Sequence, residues 1–152
     1  MGTHHKGNKT ETRALDTFIK LMRAVGSLGA PLDRRLDEDG LTTTQFGVLE
    51  TVFHLGPLCQ RALGEKLLTS GGNVTTVVDN LEKRRLVQRV RSEEDRRFIT
   101  VHLTDEGRTL ISEVFPRHLG RILEAFSPLT PAEQEELARL CKKLGTGQPG
   151  TK

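Results

Sequence analysis

The spacing of apolar residues predicts helices at both ends of the chain. From Thr10 to Leu36 apolar side chains recur every three or four residues, and the pattern weakens from Gly26 to Pro31, so we expect one long or broken helix. The helical period returns after Thr104, where Pro116 should kink it. A last helix should open at Thr130–Glu133, which has the pattern of a capping box with proline at the first helical position.

Three shorter helices are predicted between these ends. Thr42 and Gln45 have the pattern of a capping box that starts the first helix, and Gly56-Pro57 ends it. The second should run from Gln60 to Leu68. The third should follow the break at Gly71-Gly72 and continue to about Arg84, with its apolar face formed by Val74, Val77, Val78 and Leu81. Two helices joined by a short glycine-containing turn predict a helix-turn-helix.

A period of two residues then replaces the helical period. Leu86–Arg91 and Phe98–Leu103 both alternate apolar and polar residues, and Ser92–Arg97 between them is entirely polar. This pattern predicts a two-stranded hairpin with a charged tip, which is the wing of a winged helix. The predicted fold class is therefore mainly α with a small β-hairpin: a winged helix-turn-helix with N- and C-terminal helices.

Length and composition limit the alternatives. With 152 residues and 35% apolar content, the chain can bury one modest core. Its polar start and the lack of a long apolar run predict a cytoplasmic protein without a membrane span. Cys59 and Cys141 lack a Cys or His partner at ligand spacing, so we expect reduced thiols, no metal site and no cofactor.

Positive charge is concentrated next to the predicted helix-turn-helix. Lys83–Arg97 holds seven basic and three acidic residues, a local charge of +4 where the whole chain carries +3. The face of the third helix opposite its valines presents short polar side chains that suit the edges of DNA bases. Arg96 and Arg97 at the hairpin tip suit a narrow minor groove, and Asp95 is expected to orient one guanidinium group. The alternatives without a role in DNA binding are a solvated surface helix and an ordinary surface ion pair.

Three motifs carry a resemblance to a known family. They are Val77–Arg84 running into Leu86-Val87, Asp95–Arg97 on the wing, and Leu103–Gly107 at the start of the next helix. In this order and spacing, the chain resembles the multiple-antibiotic-resistance regulator (MarR) family of transcription factors over nearly its whole length. The resemblance implies a homodimeric repressor that binds a pseudo-palindromic operator and leaves it when a small aromatic or phenolic effector or an oxidant acts.

Residue patterns and resemblance together give a set of expected DNA contacts. The region from Ser70 to Thr76 would lead the recognition helix, and the wing would supply a minor-groove contact. The full set is Ser70, Gly71, Gly72, Asn73, Thr75, Thr76, Asn80, Lys83, Arg84, Asp95, Arg96 and Arg97. The competing interpretation is a winged-helix protein-interaction module without sequence-specific DNA binding. A thiol enzyme using Cys59 is disfavoured because no nearby base or cofactor loop accompanies the thiol.

A single MarR-like domain over residues 11–145 is expected, after a disordered start at 1–10 and before a flexible tail at 146–152. Its winged helix-turn-helix lobe would cover about 41–103, and its dimerisation helices about 11–37 and 104–145. Apolar residues occur in pairs at 110/111, 114/115 and 122/123, a stripe broader than one small domain covers. Either a partner subunit or the chain's own N-terminal helix would cover the excess.

Residues that sense the signal are the hardest to identify. The aromatic and polar groups Phe46, Phe53, His54 and Phe115 are candidates for an effector pocket, with core packing as the alternative for the phenylalanines. Cys59, just before the helix at Gln60, is a candidate redox switch. Cys141, in an apolar stripe, is expected to be a buried structural thiol.

Arg85 departs from the resemblance, since the family often has glycine there. If that position caps the third helix in a left-handed conformation, arginine costs about 1 kcal/mol relative to glycine. A guanidinium group beside a DNA phosphate would offset that cost.

Overall fold

The computed structural model describes residues 2–67 and 73–150 and is mainly helical, with one small antiparallel sheet. Within these residues it contains six helices and three strands. In chain order they are α1 (Lys9–Glu38), α2 (Thr43–Leu55), β1 (Leu58–Cys59), α3 (Gln60–Lys66), α4 (Val74–Lys83), β2 (Val87–Arg91), β3 (Ile99–Leu103), α5 (Asp105–Phe126) and α6 (Pro131–Thr146). None of these helices is both long enough and apolar enough to cross a bilayer.

Side-chain caps start three of the helices. The predicted capping boxes Thr42/Gln45 and Thr130/Glu133 both form at the starts of α2 and α6. A third, which the sequence analysis missed, starts α1: the Asn8 side chain accepts from the Thr10 and Glu11 N–H groups, and Glu11 accepts from the Asn8 N–H. The helix therefore begins at Lys9, inside the stretch expected to be disordered, and continues past the glycines and Pro31 without a break.

Two helices end in the same hydrogen-bonded cap. After α1, Gly40 has φ +79° and the Leu41 N–H donates to Leu36 O over 3.0 Å. After α4, Arg85 has φ +59° and the Leu86 N–H donates to Leu81 O, also over 3.0 Å. This is the Schellman arrangement, which needs a left-handed residue at its centre. Arg85 thus has the left-handed conformation under which the sequence analysis assigned arginine a cost relative to glycine.

The start of α5 packs tightly on the cap of α4. Thr104 Oγ1 donates to Arg85 O over 2.6 Å, and the Thr104 N–H donates to Leu86 O over 3.1 Å. One turn later, a Cβ atom on Gly107 would overlap the Leu86 carbonyl. Glycine is required at this position because a helix passes directly against backbone.

The sheet has three strands in the order β1-β3-β2, all antiparallel. The predicted hairpin is confirmed, with Val87 opposite Leu103 at its base and Arg91 opposite Ile99 near its tip. The additional strand β1 was not predicted, because two residues are too few to show a period of two. It places Cys59 opposite Thr100.

A core of aliphatic side chains joins α2, α4, the sheet and the first half of α5. Buried valine and leucine side chains of α4 pack with those of α2, where Val48 and Leu49 are fully buried. Val87 and Val101 contribute from the sheet, and Ile111 and Val114 from α5. This core fixes the orientation of α4 relative to the wing.

The chain divides into two compact units, one up to His118 and the other from Leu119 onward. In the second unit, Gln134 Nε2 donates to Phe126 O and Leu129 O, which closes the turn before α6. No α6 residue is buried. The prediction of a buried Cys141 was wrong: Cys141 is exposed, as is the apolar stripe of α6 among the residues that the structure describes.

Candidate nucleic-acid interface

The α4 helix has one buried face and one polar, exposed face. Its buried face holds Val74, Val77, Val78 and Leu81, as expected. The side chains on its other face are exposed, namely Asn73, Thr75, Thr76 and Asn80. Ser70, Gly71 and Gly72, which were expected to lead this helix, lie outside the described residues. The described part of α4 therefore presents short hydrogen-bonding groups of the kind that can reach base edges.

Gln60 connects α3 to α4. Its Nε2 atom donates to Thr75 Oγ1 over 3.0 Å, and its Oε1 atom accepts from Arg89 Nε over 2.9 Å. Because Gln60 is the first residue of α3, these bonds hold the start of that helix against both α4 and β2. Both helices of the helix-turn-helix are thereby tied to the wing.

Arg89 joins β2 to α4, a role that the sequence analysis missed. Its Nη2 atom lies 2.6 Å from Asp79 Oδ1, its Nη1 atom lies 2.7 Å from Glu82 Oε2, and its backbone N–H donates to Glu82 Oε1. Burial, the largest influence, lowers the pKa of Arg89, but the bonds to the two carboxylates together raise it. The Arg89 N–H and guanidinium bonds lower the pKa of Glu82. The Arg89 charge is therefore paired with two carboxylates inside the fold and does not add to the exposed basic surface.

One sequence signal could have revealed this cluster. Arg89 has the same parity as Val87 along β2, so its side chain is on the inward face, where an arginine needs partners. Asp79 and Glu82, three residues apart on the preceding helix, are the acidic residues in reach.

The wing tip holds one arginine in a fixed geometry. Arg97 Nη2 lies 2.9 Å from Asp95 Oδ2, and Arg97 Nε lies 3.1 Å from Asp95 Oδ1. The Arg97 side chain is 89% exposed and that of Asp95 32%. Hydrogen bonds from the Arg97 side chain and backbone lower the pKa of Asp95, and its carboxylate raises the pKa of Arg97. The guanidinium group is thus oriented on one side and open on the other.

The basic residues at the start of the stretch, before β2, lie apart from this tip. Arg84 Nη1 donates to Gly40 O over 2.8 Å and to Gln45 Oε1 over 3.3 Å, so it joins the end of α4 to the turn between α1 and α2. Arg85 lies at the base of the wing, about 17 Å from the tip across five strand residues. Lys83 is exposed on the last turn of α4.

The four candidate pocket residues form one aromatic cluster. The Phe46 and Phe115 rings are nearly parallel with centroids 6.4 Å apart, and His54 lies 4.6 Å from Phe115 and 5.1 Å from Phe53. The three phenylalanines pack against the core, as the alternative prediction had it. His118, which the sequence analysis did not single out, extends the cluster with its ring 4.6 Å from Phe46.

A cavity of about 290 Å³ lies beside this cluster. Of the four predicted residues only Phe46 lines it. The side chains of α2 and α3 and the buried His118 supply the rest of its wall, which comprises Thr43, Thr44, Gly47, Glu50, Thr51, Lys66, Leu67 and His118. Phe53, His54 and Phe115 lie outside this wall, so a ligand in the cavity would meet polar groups of α2 that the sequence analysis did not name.

Cys59 occupies the N-cap position of α3 and is half-buried. Its backbone pairs with Thr100 of the central strand. Cys59 therefore connects the edge strand β1 to the start of α3.

Comparison with known proteins agrees with this geometry. A model of the MarR family matches residues 41–99, which span α2 to the wing. YkoM, an HTH-type transcriptional regulator of Bacillus subtilis, is 38% identical over 133 residues, covering 88% of this chain and 86% of that protein. MhqR, another HTH-type transcriptional regulator of that species, is 35% identical over 133 residues, covering 88% and 92%.

A solved structure shares the fold. Sco3205, a MarR family transcriptional regulator from Streptomyces coelicolor crystallised in complex with DNA, gives a TM-score of 0.83 at 24% identity, covering 97% of this chain and 94% of that one. The predicted winged helix-turn-helix fold is therefore confirmed.

Both relatives are HTH-type transcriptional regulators. Their similarity extends over nearly nine-tenths of the chain, well beyond the helix-turn-helix. The family predicted from the three residue motifs is confirmed, and the chain belongs to the MarR family of HTH-type transcriptional regulators.

Proposed function

We propose that this regulator binds operator DNA through α4 and the wing. The observation that carries the proposal is that the polar face of α4 and the oriented Arg97 belong to one unit, which Arg89 and Gln60 tie together. The proposed contacts are Asn73, Thr75, Thr76, Asn80, Lys83, Arg96 and Arg97, with Asp95 positioning Arg97 and with Ser70–Gly72 kept from the sequence prediction. Arg84 is not among the proposed DNA contacts, because its guanidinium group donates to Gly40 O.

We further propose that the active form is a homodimer acting as a repressor on a pseudo-palindromic site. The α1 helix exposes an apolar stripe at Leu15, Phe18, Met22 and Val25. The second unit separately exposes Leu119, Leu123, Leu137, Leu140 and Leu144. Exposed apolar stripes of this extent need a cover, and a second copy supplies one. Two-fold symmetry would set the two α4 helices about 34 Å apart, one turn of B-DNA.

The cavity next to Phe46 is the proposed effector site. Its volume suits a small aromatic molecule, and the Lys66 ammonium group in its wall would favour a phenolate or carboxylate.

The role of Cys59 as a redox switch stays a prediction. If Cys59 is the switch, peroxide should release DNA from the wild-type protein but not from Cys59→Ser. Equal release from both proteins would exclude it.

Selection from a randomised pool of DNA duplexes tests the central proposal. Wild-type protein should enrich one pseudo-palindromic sequence, and its affinity for that duplex should fall steeply as salt rises. Enrichment should be lost with Asn80→Ala combined with Arg97→Ala, while Arg61→Ala, on the exposed face of α3, serves as a matched charge control. A pool that stays random with wild-type protein would favour the protein-interaction alternative.

A further inference from the structure

The largest apolar side chain of the wing is exposed. Phe98, which directly follows Arg97, is 62% exposed. The other exposed large apolar residue of the wing is Val90, at 39%. An exposed aromatic ring at the hairpin tip contributes little to the free energy of folding, so folding does not explain why this position holds phenylalanine.

Strand alternation places Phe98 on the outer face of the sheet. The Ser92 N–H donates to Phe98 O over 2.9 Å, which extends the ladder one step beyond the Arg91–Ile99 pair. Phe98 therefore shares its face with Thr100 and Val90, opposite to the face of the buried Val101. Neither the core nor α4 is on this side.

The backbone of Phe98 is fixed by the same turn that orients Arg97. Its N–H donates to Asp95 O over 3.0 Å, while the Asp95 carboxylate binds the Arg97 guanidinium group. The Asp95 N–H in turn donates to Ser92 Oγ over 3.3 Å. Because these hydrogen bonds already fix the backbone of Phe98, binding through its side chain costs little backbone entropy.

We propose that Phe98 is an apolar DNA contact of the wing, packing on a deoxyribose or base step of the minor groove beside the phosphates that Arg96 and Arg97 approach. The inference rests on the proposed DNA-binding function. Arg96 and Arg97 directly precede Phe98 in the chain, and Arg91 Nη1 donates to Arg96 O over 3.2 Å, so the positive charge next to Phe98 favours an anionic partner over an apolar protein surface. The minor groove of DNA combines phosphates with apolar sugar edges and base steps that accept phenylalanine.

Salt dependence separates this contact from the arginine contacts. The probe is the duplex that wild-type protein enriches from the randomised pool. Phe98→Ala should bind it about tenfold more weakly with an unchanged slope of log affinity against log salt, since no phosphate contact is lost. Arg97→Ala should reduce the magnitude of that slope by about 0.9. Phe98→Leu should retain more affinity than Phe98→Ala.

Leu55→Ala is the matched control, because Leu55 is 59% exposed at the end of α2, outside α4 and the wing. It should leave DNA affinity unchanged, and both alanine variants should keep the wild-type melting temperature. Wild-type affinity in Phe98→Ala would overturn the inference while leaving the proposed function intact. A smaller salt slope in Phe98→Ala, or affinity lost only through weaker dimerisation in sedimentation, would also overturn it. A wild-type protein that enriches no duplex would instead remove the proposed function.

Discussion

Arg89 and Glu82 make a two-point contact, in which the arginine donates to the carboxylate through both its backbone N–H and its guanidinium group. The backbone bond fixes the position of β2 along α4. The guanidinium bond fixes which face of β2 is turned towards α4. Since β2 leads to the wing tip and α4 carries the polar face, this pair sets the geometry between the two proposed DNA-binding elements.

Arg89→Ala should lower both stability and DNA affinity. The Arg89 side chain is 21% exposed and holds two carboxylates, so its removal should cost about 1–3 kcal/mol of unfolding free energy. DNA affinity should fall as well, because the wing is no longer fastened to α4. Urea unfolding and fluorescence anisotropy with the selected duplex measure the two effects. Arg91→Ala, on the same strand but with an exposed side chain, should change stability by less than about 0.5 kcal/mol.

Acid should weaken the same contact. The Arg89 bonds lower the folded-state pKa of Glu82 below its ordinary 4.5, so the folded state favours the carboxylate. Its contribution to stability is therefore present above pH 4.5 and disappears as the pH falls through the lowered value. The urea midpoint of the wild type should decline over this range. Glu82→Gln should be less stable at neutral pH and should decline less. Parallel curves for the two proteins would contradict the assignment.

Much of this architecture was predictable because its signals are local. The capping boxes at Thr42 and Thr130, the period of α4 and the alternation of the wing each depend on neighbouring residues. The Arg89 cluster, the Arg84 bond to Gly40 and the cavity wall at His118 depend on residues 7 to 70 or more positions apart, which only the folded chain brings together. Asp95 was predictable as the partner of Arg97 because the two are close in sequence.

Asp95→Asn should weaken DNA binding even though it removes a negative charge from the wing. The amide cannot hold Arg97 with two charge-assisted bonds, so the guanidinium group loses its fixed direction. Glu94→Gln provides the control, since it removes the same charge one residue earlier on an exposed side chain. It should leave affinity unchanged or slightly raised. Stronger binding by Asp95→Asn would show that Asp95 acts only as a repulsive charge.

Arg85→Gly should raise stability without affecting DNA affinity. Arg85 has φ +59°, and relief of the left-handed strain should contribute about 1 kcal/mol, or roughly 2–4 °C in melting temperature. Affinity should stay within about twofold, because Arg85 lies at the base of the wing and away from its tip. Arg85→Ala separates charge from conformation, as it removes the guanidinium group but keeps the strain. A tenfold loss of DNA affinity in both variants would restore the phosphate contact considered from the sequence.

Gly107→Ala should be strongly destabilising, while Gly120→Ala in the same helix should not. A methyl group on Gly107 would overlap the Leu86 carbonyl, so the start of α5 must move, at a cost of about 2 kcal/mol or more. Among the described residues nothing lies near the Cβ position of Gly120, and alanine there should improve helix propensity by about 0.5–1 kcal/mol. Thermal unfolding of both variants gives the comparison, and equal melting temperatures would show that the contact yields without cost.

At Gly107, α5 packs directly against the backbone of Leu86, which belongs to the cap that ends α4. Phe115 and His118 lie two to three turns further along α5, about 12–16 Å from that contact. The α5 helix, which contains Pro116, therefore connects the wall of the proposed effector cavity to the end of the proposed DNA-reading helix. A ligand that displaced the first turns of α5 would therefore also displace the backbone on which α4 ends.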